Sequence, residues 1–285
     1  MTCIVSWNIQ NGKGVDGIVS LERIARTIRA MADPDVICLQ EIARNLEFAE
    51  GAGRPDQVAQ LSVLFAGYET VFGCAIDATN SSGERWQYGN LTLTRLPVRT
   101  VFHHPLPQPA NGDVNHMPRQ AIELTVLVDG RPMRVVNTHL EFHCERQRAA
   151  QVDSLIELQR QVADNTLAPA RHVSTGPYQE VVRPADCIMC GDFNMDVASP
   201  PYRSLTDDAG GRGAFFQDAW TRLHGERLHD PTCGVHDHVQ WPQGAHCRDF
   251  FFVTPGIAQR VARVAVDTRT DASDHQPVML VLRTD

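Results

Sequence analysis

Three asparagines, two histidines and three carboxylates fall in five short polar words: Ser6-Trp7-Asn8-Ile9-Gln10, Leu39-Gln40-Glu41, Asn137-Thr138-His139-Leu140, Gly191-Asp192-Phe193-Asn194 and Ser273-Asp274-His275. Oxygen-rich side chains of this kind suit a hard metal ion, Mg2+ or Mn2+, and histidine beside carboxylate suits proton transfer. Together they fit hydrolysis of a phosphate ester. Glu41 closes the apolar run Ile37-Cys38-Leu39 and reads as a metal ligand. Asn8, after Trp7, can hold a metal-bound water or a phosphate oxygen without adding charge; its competing role is an Asx turn ending the strand. Gln10 would share its face if the strand ran on. Asp192 and Asn194 are two apart, so in extended backbone both face one way while Phe193 packs inward. An acceptor beside an amide can orient a water and hold a non-bridging oxygen. His275 is the natural proton carrier, with Asp249 at the head of Phe250-Phe251-Phe252-Val253 as its orienting carboxylate. His139 can donate to charge developing on the phosphoryl oxygens.

Each word follows or closes an apolar run, which puts the polar groups at strand ends. Residues 3–8 read as a strand, then a glycine turn. Ile18, Leu21, Ile24, Ala25, Ile28 and Met31 follow at helical spacing, and 35–39 is a strand, making a β–α–β unit. A helix is expected over 56–65 and strands near 68–74 and 89–95, with 103–118 as a loop rich in Pro, His and Asn. Residues 120–128 and 133–137 pair across Asp129-Gly130. Glu145 to Val162 reads as an amphipathic helix with Ala149, Val152, Leu155, Ile156 and Leu158 inward. An irregular insertion, 163–185, precedes a strand at 186–190. Residues 200–246 are mostly loop, with a helical piece around 215–223, before strands at 249–253 and 277–282. The sum is a two-sheet core flanked by helices, in one domain over residues 1–285.

Hydrophobic residues make up 42% of the 285, enough to bury a core, and no run of about 18 apolar residues is present for a membrane span. The N-terminus is too soon polar for a signal peptide, so a cytoplasmic location is expected. The formal charge of −8 disfavours a non-specific nucleic-acid binder, although a local basic groove stays compatible with it. The eight cysteines lack zinc-site spacing. Strand alternation sends Cys187 and Cys190 to opposite faces, as plain buried thiols. His236-Asp237-His238 reads as a solvated loop rather than a metal tract. Trp86, Trp241 and Phe250-Phe251-Phe252 raise a lipid-facing role, although the phenylalanines read more simply as a buried strand.

These words in this order resemble the endonuclease/exonuclease/phosphatase superfamily, also called deoxyribonuclease I-like, from Ser6 to His275. Gly89-Asn90-Leu91 with Thr94-Arg95-Leu96-Pro97 resembles a further family strand, and Arg119 the arginine that follows it. The resemblance implies an α+β fold: a four-layer αββα sandwich of two packed, mostly antiparallel sheets flanked by helices. It implies Asn8, Glu41 and Asp274 on the metal side and His139 facing phosphate. Asp192 and Asn194 would flank the attacking water, Asp249 would orient the catalytic His275, and Asn90 and Arg119 would stand on the substrate side. The expected activity is a Mg2+- or Mn2+-dependent phosphodiesterase acting on a phosphate-ester substrate. The alternatives are a nuclease or DNA-end phosphodiesterase and, from another class, a catalytically silent binding module. Gln10 and His139 stand where abasic-site nucleases of the family carry an acid and a tyrosine, which argues against that activity.

Overall fold

The structure, a computed structural model, describes residues 1–48, 53–207 and 215–283. Twelve strands form two six-stranded sheets. The first has the order β11 (Val261–Val266), β12 (Val278–Leu282), β1 (Thr2–Asn8), β2 (Val36–Arg44), β4 (Arg85–Thr94), β3 (Glu69–Thr79). The second runs β5 (Val98–Pro105), β6 (Gln120–Val128), β7 (Arg131–His139), β8 (Cys187–Asp192), β10 (Asp249–Val253), β9 (Gln217–Asp218). Each sheet is antiparallel except for one parallel pair, β1–β2 in the first and β7–β8 in the second.

Three hydrophobic clusters separate four layers, as an αββα sandwich requires. Ile4, Cys38, Ile122, Leu124, Cys190 and Phe251 pack between the sheets. Val5, Trp7, Ile37 and Leu39 point the other way, under α1 (Leu21–Met31) and α2 (Gln57–Leu64). Val136, Cys187, Phe193, Phe250 and Phe252 form the third cluster, beneath α3 (Glu145–Leu167) and α4 (Pro200–Thr206). Alternation along each strand produces this partition, and Cys187 and Cys190 do fall on opposite faces. Helix α1 starts at Leu21, where Ser20 Oγ accepts from Arg23 N at 3.2 Å, so Ile18 precedes it and is exposed.

Several expectations are corrected. Residues 98–105 form the edge strand β5, since His103, His104 and Pro105 pair with Ile122, Ala121 and Gln120. Strand β11 was absent from the sequence reading, as was α4. For the helical piece around 215–223 the observed helix is α5 (Ala219–His224). A short α6 (Pro255–Ala258) precedes β11. On α3 the inward face carries Gln147, Gln151 and Gln159 beside Val152, Leu155 and Val162, while Ala149, Ile156 and Leu158 are half-buried. The glutamines face main chain rather than sheet: Gln147 donates to Pro109 O, Gln151 to Pro107 O and Gln159 to Ala185 O. A helix that covers loop carbonyls needs donors on that face, which an apolar-periodicity argument does not see.

Candidate active site

One end of the inter-sheet layer opens into a cleft of about 360 Å³. Asn8, Glu41, Arg119, His139, Asp192, Asn194, Asp274 and His275 line it, and Asp249 stands directly behind His275. Strand pairing alone puts three of these groups in a row: His139 is the partner of Asp192 across β7–β8, and Asp192 of Asp249 across β8–β10. Each is the last or first residue of its strand, with inward parity. Gly191 is required for that register. Its φ is 143°, and a Cβ there would overlap the Thr138 carbonyl oxygen of β7.

Glu41 reaches the cleft through a defect in β2. Leu39 pairs with Leu91 and Ile42 with Gly89, so Gln40 and Glu41 together oppose Asn90. Leu39 and Ile42 pack outward under the helices. Plain alternation would send Glu41 outward with them. The bulge, with Glu41 at φ 61°, turns its carboxylate inward instead. There Glu41 Oε1 accepts from Asn8 Nδ2 at 3.0 Å and the carboxylate bonds the Tyr88 hydroxyl. Burial first, and then the charge of Asp274, push the Glu41 carboxyl above its usual range.

Asn8 makes the Asx turn read for it and also faces the cleft. Its Oδ1 accepts from Gln10 N at 3.1 Å, which closes an Asx turn, while its Nδ2 also donates to Asp192 Oδ2 at 3.0 Å. The strand ends there, so Gln10 enters a 3-10 turn (Gln10–Gly12) and does not share the face of Asn8. Asn194 is likewise not in extended backbone. At φ 51° it folds back, its N–H bonding Asp192 Oδ1 at 2.9 Å, and its Nδ2 reaches Leu140 O at 3.0 Å and His139 Nε2 at 3.1 Å. Both side chains still face the cleft.

His275 Nδ1 lies 2.8 Å from Asp249 Oδ2, and its Nε2 3.6 Å from Asp192 Oδ2. Burial disfavours charge on His275, but Asp249 and Asp192 outweigh it and raise its pKa well above the ordinary value. Burial opposes ionisation of Asp192 too, yet His275, His139 and the Asn8 amide hold it low. His139 goes the other way: burial and then the Arg119 charge push it down to about 3, so its ring is neutral near pH 7.

Asn90 does not reach the cleft. It opposes the β2 bulge, donates weakly to Gln120 O at 3.5 Å, and lines a small void behind Arg119 and His139. Arg119 is in the cleft wall, held by Glu141 Oε2 at 3.3 Å. Four supporting residues were not singled out for these roles. Trp7 Nε1 donates to His275 O at 2.9 Å, and Ser273 Oγ to Asn8 O at 2.8 Å. Thr232 Oγ1 accepts from Asp249 N at 3.1 Å, and Trp241 Nε1 donates to Asp274 Oδ2 at 3.3 Å. Trp7 and Ser273 lay inside the polar words, where they were visible. Thr232 and Trp241 come from the long loop, whose path no periodicity predicts. Trp241 and Phe250-Phe251-Phe252 are buried, so neither offers a lipid-facing surface, and no helix among the described residues is long and apolar enough to cross a membrane. His236 Nε2 donates to Thr268 O at 2.9 Å in an exposed loop, outside any candidate ligand cluster among the described residues.

A two-sheet αββα sandwich with a carboxylate–histidine–amide cleft at one end defines a class of phosphoesterase-like folds. The chain belongs to the Endonuclease/Exonuclease/phosphatase family, whose model matches residues 5–275. Among solved structures it is similar to an endonuclease/exonuclease/phosphatase from Beutenbergia cavernae, at 25% identity and TM-score 0.66 over 98% of this chain and 70% of that one. It is also similar to a mannosyl-6-phosphatase of Bacteroides thetaiotaomicron, at 17% identity and TM-score 0.66 with both chains fully covered. The truncated TDP2 of Caenorhabditis elegans follows at 17% identity and TM-score 0.64, covering 98% of this chain and 96% of that one. No curated protein sequence matches it significantly.

Proposed function

We propose that this protein is a metal-dependent phosphoesterase that hydrolyses a phosphodiester by in-line attack of an activated water. The observation that carries the reading is the convergence of Glu41, Asn8, Asp192, Asn194, His139 and His275 on one cleft, from the strands β1, β2, β7 and β8 and from the loops after β8 and before β12. A hard cation fits the donors present. Glu41 and Asp274 present carboxylate oxygens to one cleft, and the burial and neighbouring Asp274 charge that raise the Glu41 pKa would both be offset by a cation there. Asp192, Asp249 and His275 also bring ligand atoms within 4.8 Å of one another, but His275 already bonds Asp249, which favours them as an acid–base set. When bound, Mg2+ or Mn2+ would neutralise the phosphate and stabilise the departing oxygen.

The chain's own residues supply the rest. Asp192 Oδ2 orients a water and takes up its proton, while His275, kept protonated by Asp249 and Asp192, faces it through Nε2–H and stabilises the charge that develops. Asp249 fixes the ring so that Nε2 faces the reaction. Asn194, His139 and Arg119 bind non-bridging oxygens, with Glu141 holding Arg119 in place. Glu41→Gln keeps the shape and removes the charge, so it should raise the Mg2+ concentration needed for half-maximal hydrolysis by roughly 10-fold or more. A Mg2+ titration of bis-p-nitrophenyl phosphate turnover measures this, and an unshifted midpoint would remove Glu41 from the metal site.

A further inference from the structure

Beside the cleft, two arginines converge on Phe142, one of its lining residues. Arg148, near the start of α3, donates from Nη1 to Glu141 O at 2.7 Å and Phe142 O at 2.9 Å. Arg248, the residue before Asp249, lays its guanidinium 5.9 Å from the Phe142 ring centre and 5.4 Å from that of Trp241. Those rings meet edge to face at 5.8 Å. Arg248 Nε donates to His246 Nε2 at 2.8 Å, and His246 Nδ1 donates to Gly244 O at 2.7 Å, which fixes that ring as the neutral tautomer. Arg248 is therefore fixed in place by an imidazole and two aromatic rings, while neither of its Nη atoms is engaged among the described residues.

Among the described residues neither arginine forms an ion pair with a carboxylate. A chain with 34 Asp and Glu against 26 Lys and Arg has no shortage of carboxylates to place between them. Instead, burial and then the charge of Arg248 weaken the hold of Arg148 on its proton. Two half-buried guanidinium groups that meet at one residue of the cleft wall and act on one another through their charge are favoured by an anion beside them.

We propose that Arg148 and Arg248 form a second anion site, which receives a phosphate of the substrate other than the one hydrolysed. The favoured substrate is then a small molecule carrying two phosphate groups. This rests on the phosphoesterase reading above and names the substrate class it left open. The small-molecule form is favoured because the cleft is compact, at about 360 Å³, and the net charge of −8 disfavours a long polyanion.

The test compares thymidine 5′-(p-nitrophenyl phosphate) with the same compound carrying a 3′-phosphate. The wild type should show a KM lower by roughly 10-fold or more for the second compound. The preference should fall to about twofold or less in Arg248→Met and in Arg148→Met, and partly return in Arg248→Lys. Calorimetry with thymidine 3′,5′-bisphosphate against thymidine 5′-phosphate reads the same preference without turnover. If neither chromogenic compound is cleaved while the bisphosphate preference survives in calorimetry, the hydrolytic reading fails and the anion site stands. An equal preference in wild type and both methionine variants, each checked for folding by its melting temperature, overturns the anion site. Supercoiled DNA that competes more strongly than the bisphosphate, with loss in both variants, overturns the small-molecule form.

Discussion

Asp249 and His275 lie 26 residues apart in sequence and 2.8 Å apart in space, and the direction of that contact decides which ring nitrogen reacts. With Nδ1 committed to Asp249, Nε2 faces Asp192 across 3.6 Å. Asp249→Asn preserves the size of the side chain but can present an amide N–H to Nδ1, which would stabilise the wrong tautomer. We expect kcat to fall by about 10²-fold or more in Asp249→Asn, with the melting temperature nearly unchanged. A kcat within about threefold of wild type would assign Asp249 a structural role only. Glu41 makes a different point at this scale. Of the two carboxylates proposed to hold the metal, it is the one whose direction depends on a left-handed backbone angle, and a non-glycine residue in that region is held there by the surrounding pairing.

The polar words divide their residues between two tasks, and the division follows strand parity. Asn8, His139 and Asp192 end strands and open on the cleft, while Gln40 and Asn137 point into the core between the sheets. There Gln40 Nε2 donates to Asn137 Oδ1 at 2.8 Å, and Asn137 Nδ2 donates to Leu39 O, Leu91 O and Thr92 Oγ1 at 3.0–3.2 Å. This is a buried polar clamp joining β7 to β2 and β4. Asn137→Ala should cost roughly 2–4 kcal/mol, because it removes these bonds and leaves the buried Gln40 amide only its longer contacts to Cys38 O and Ser6 Oγ. Denaturant midpoints would measure it, and a loss below about 0.5 kcal/mol would mean the clamp is dispensable. Strand parity is also why so much of the site was legible in sequence. Alternating apolar runs located β1, β2, β7, β8 and β10 and the polar residues at their ends. The Glu41 bulge, the left-handed Asn194 and the edge strand β5 were not legible, since backbone angles and edge pairing leave no mark on periodicity. Asn90 was misplaced for a related reason: its position depends on the bulge it opposes.

At the scale of the whole molecule, the outer face of the second sheet carries a buried ionic cluster remote from the cleft. Glu123 on β6 faces Arg134 at 3.1 Å, Arg183 at 2.6 Å and His104 at 3.1 Å, pinning the 163–185 connection and the edge strand to the sheet. Burial alone would raise the Glu123 pKa, but Arg183, His104 and Arg134 prevail and lower it from 4.5 to about 2. A depressed folded-state pKa contributes stability that is fully present above the unfolded value and is lost as pH falls toward the folded one. Between about pH 5 and pH 2 this amounts to roughly 3 kcal/mol. Glu123→Gln should be less stable near neutral pH, and its stability should fall less steeply on acidification than that of wild type. Parallel curves in a urea series would contradict this. The central claim concerns the other end of the molecule, where strands from both sheets deliver one hydrolytic centre. Its most direct test is turnover of bis-p-nitrophenyl phosphate by wild type and His275→Ala, with Mg2+ and with EDTA. Hydrolysis should depend on Mg2+, be abolished by EDTA and fall by about 10²-fold or more in His275→Ala. Turnover that survives EDTA, or that is equal in His275→Ala, would contradict it.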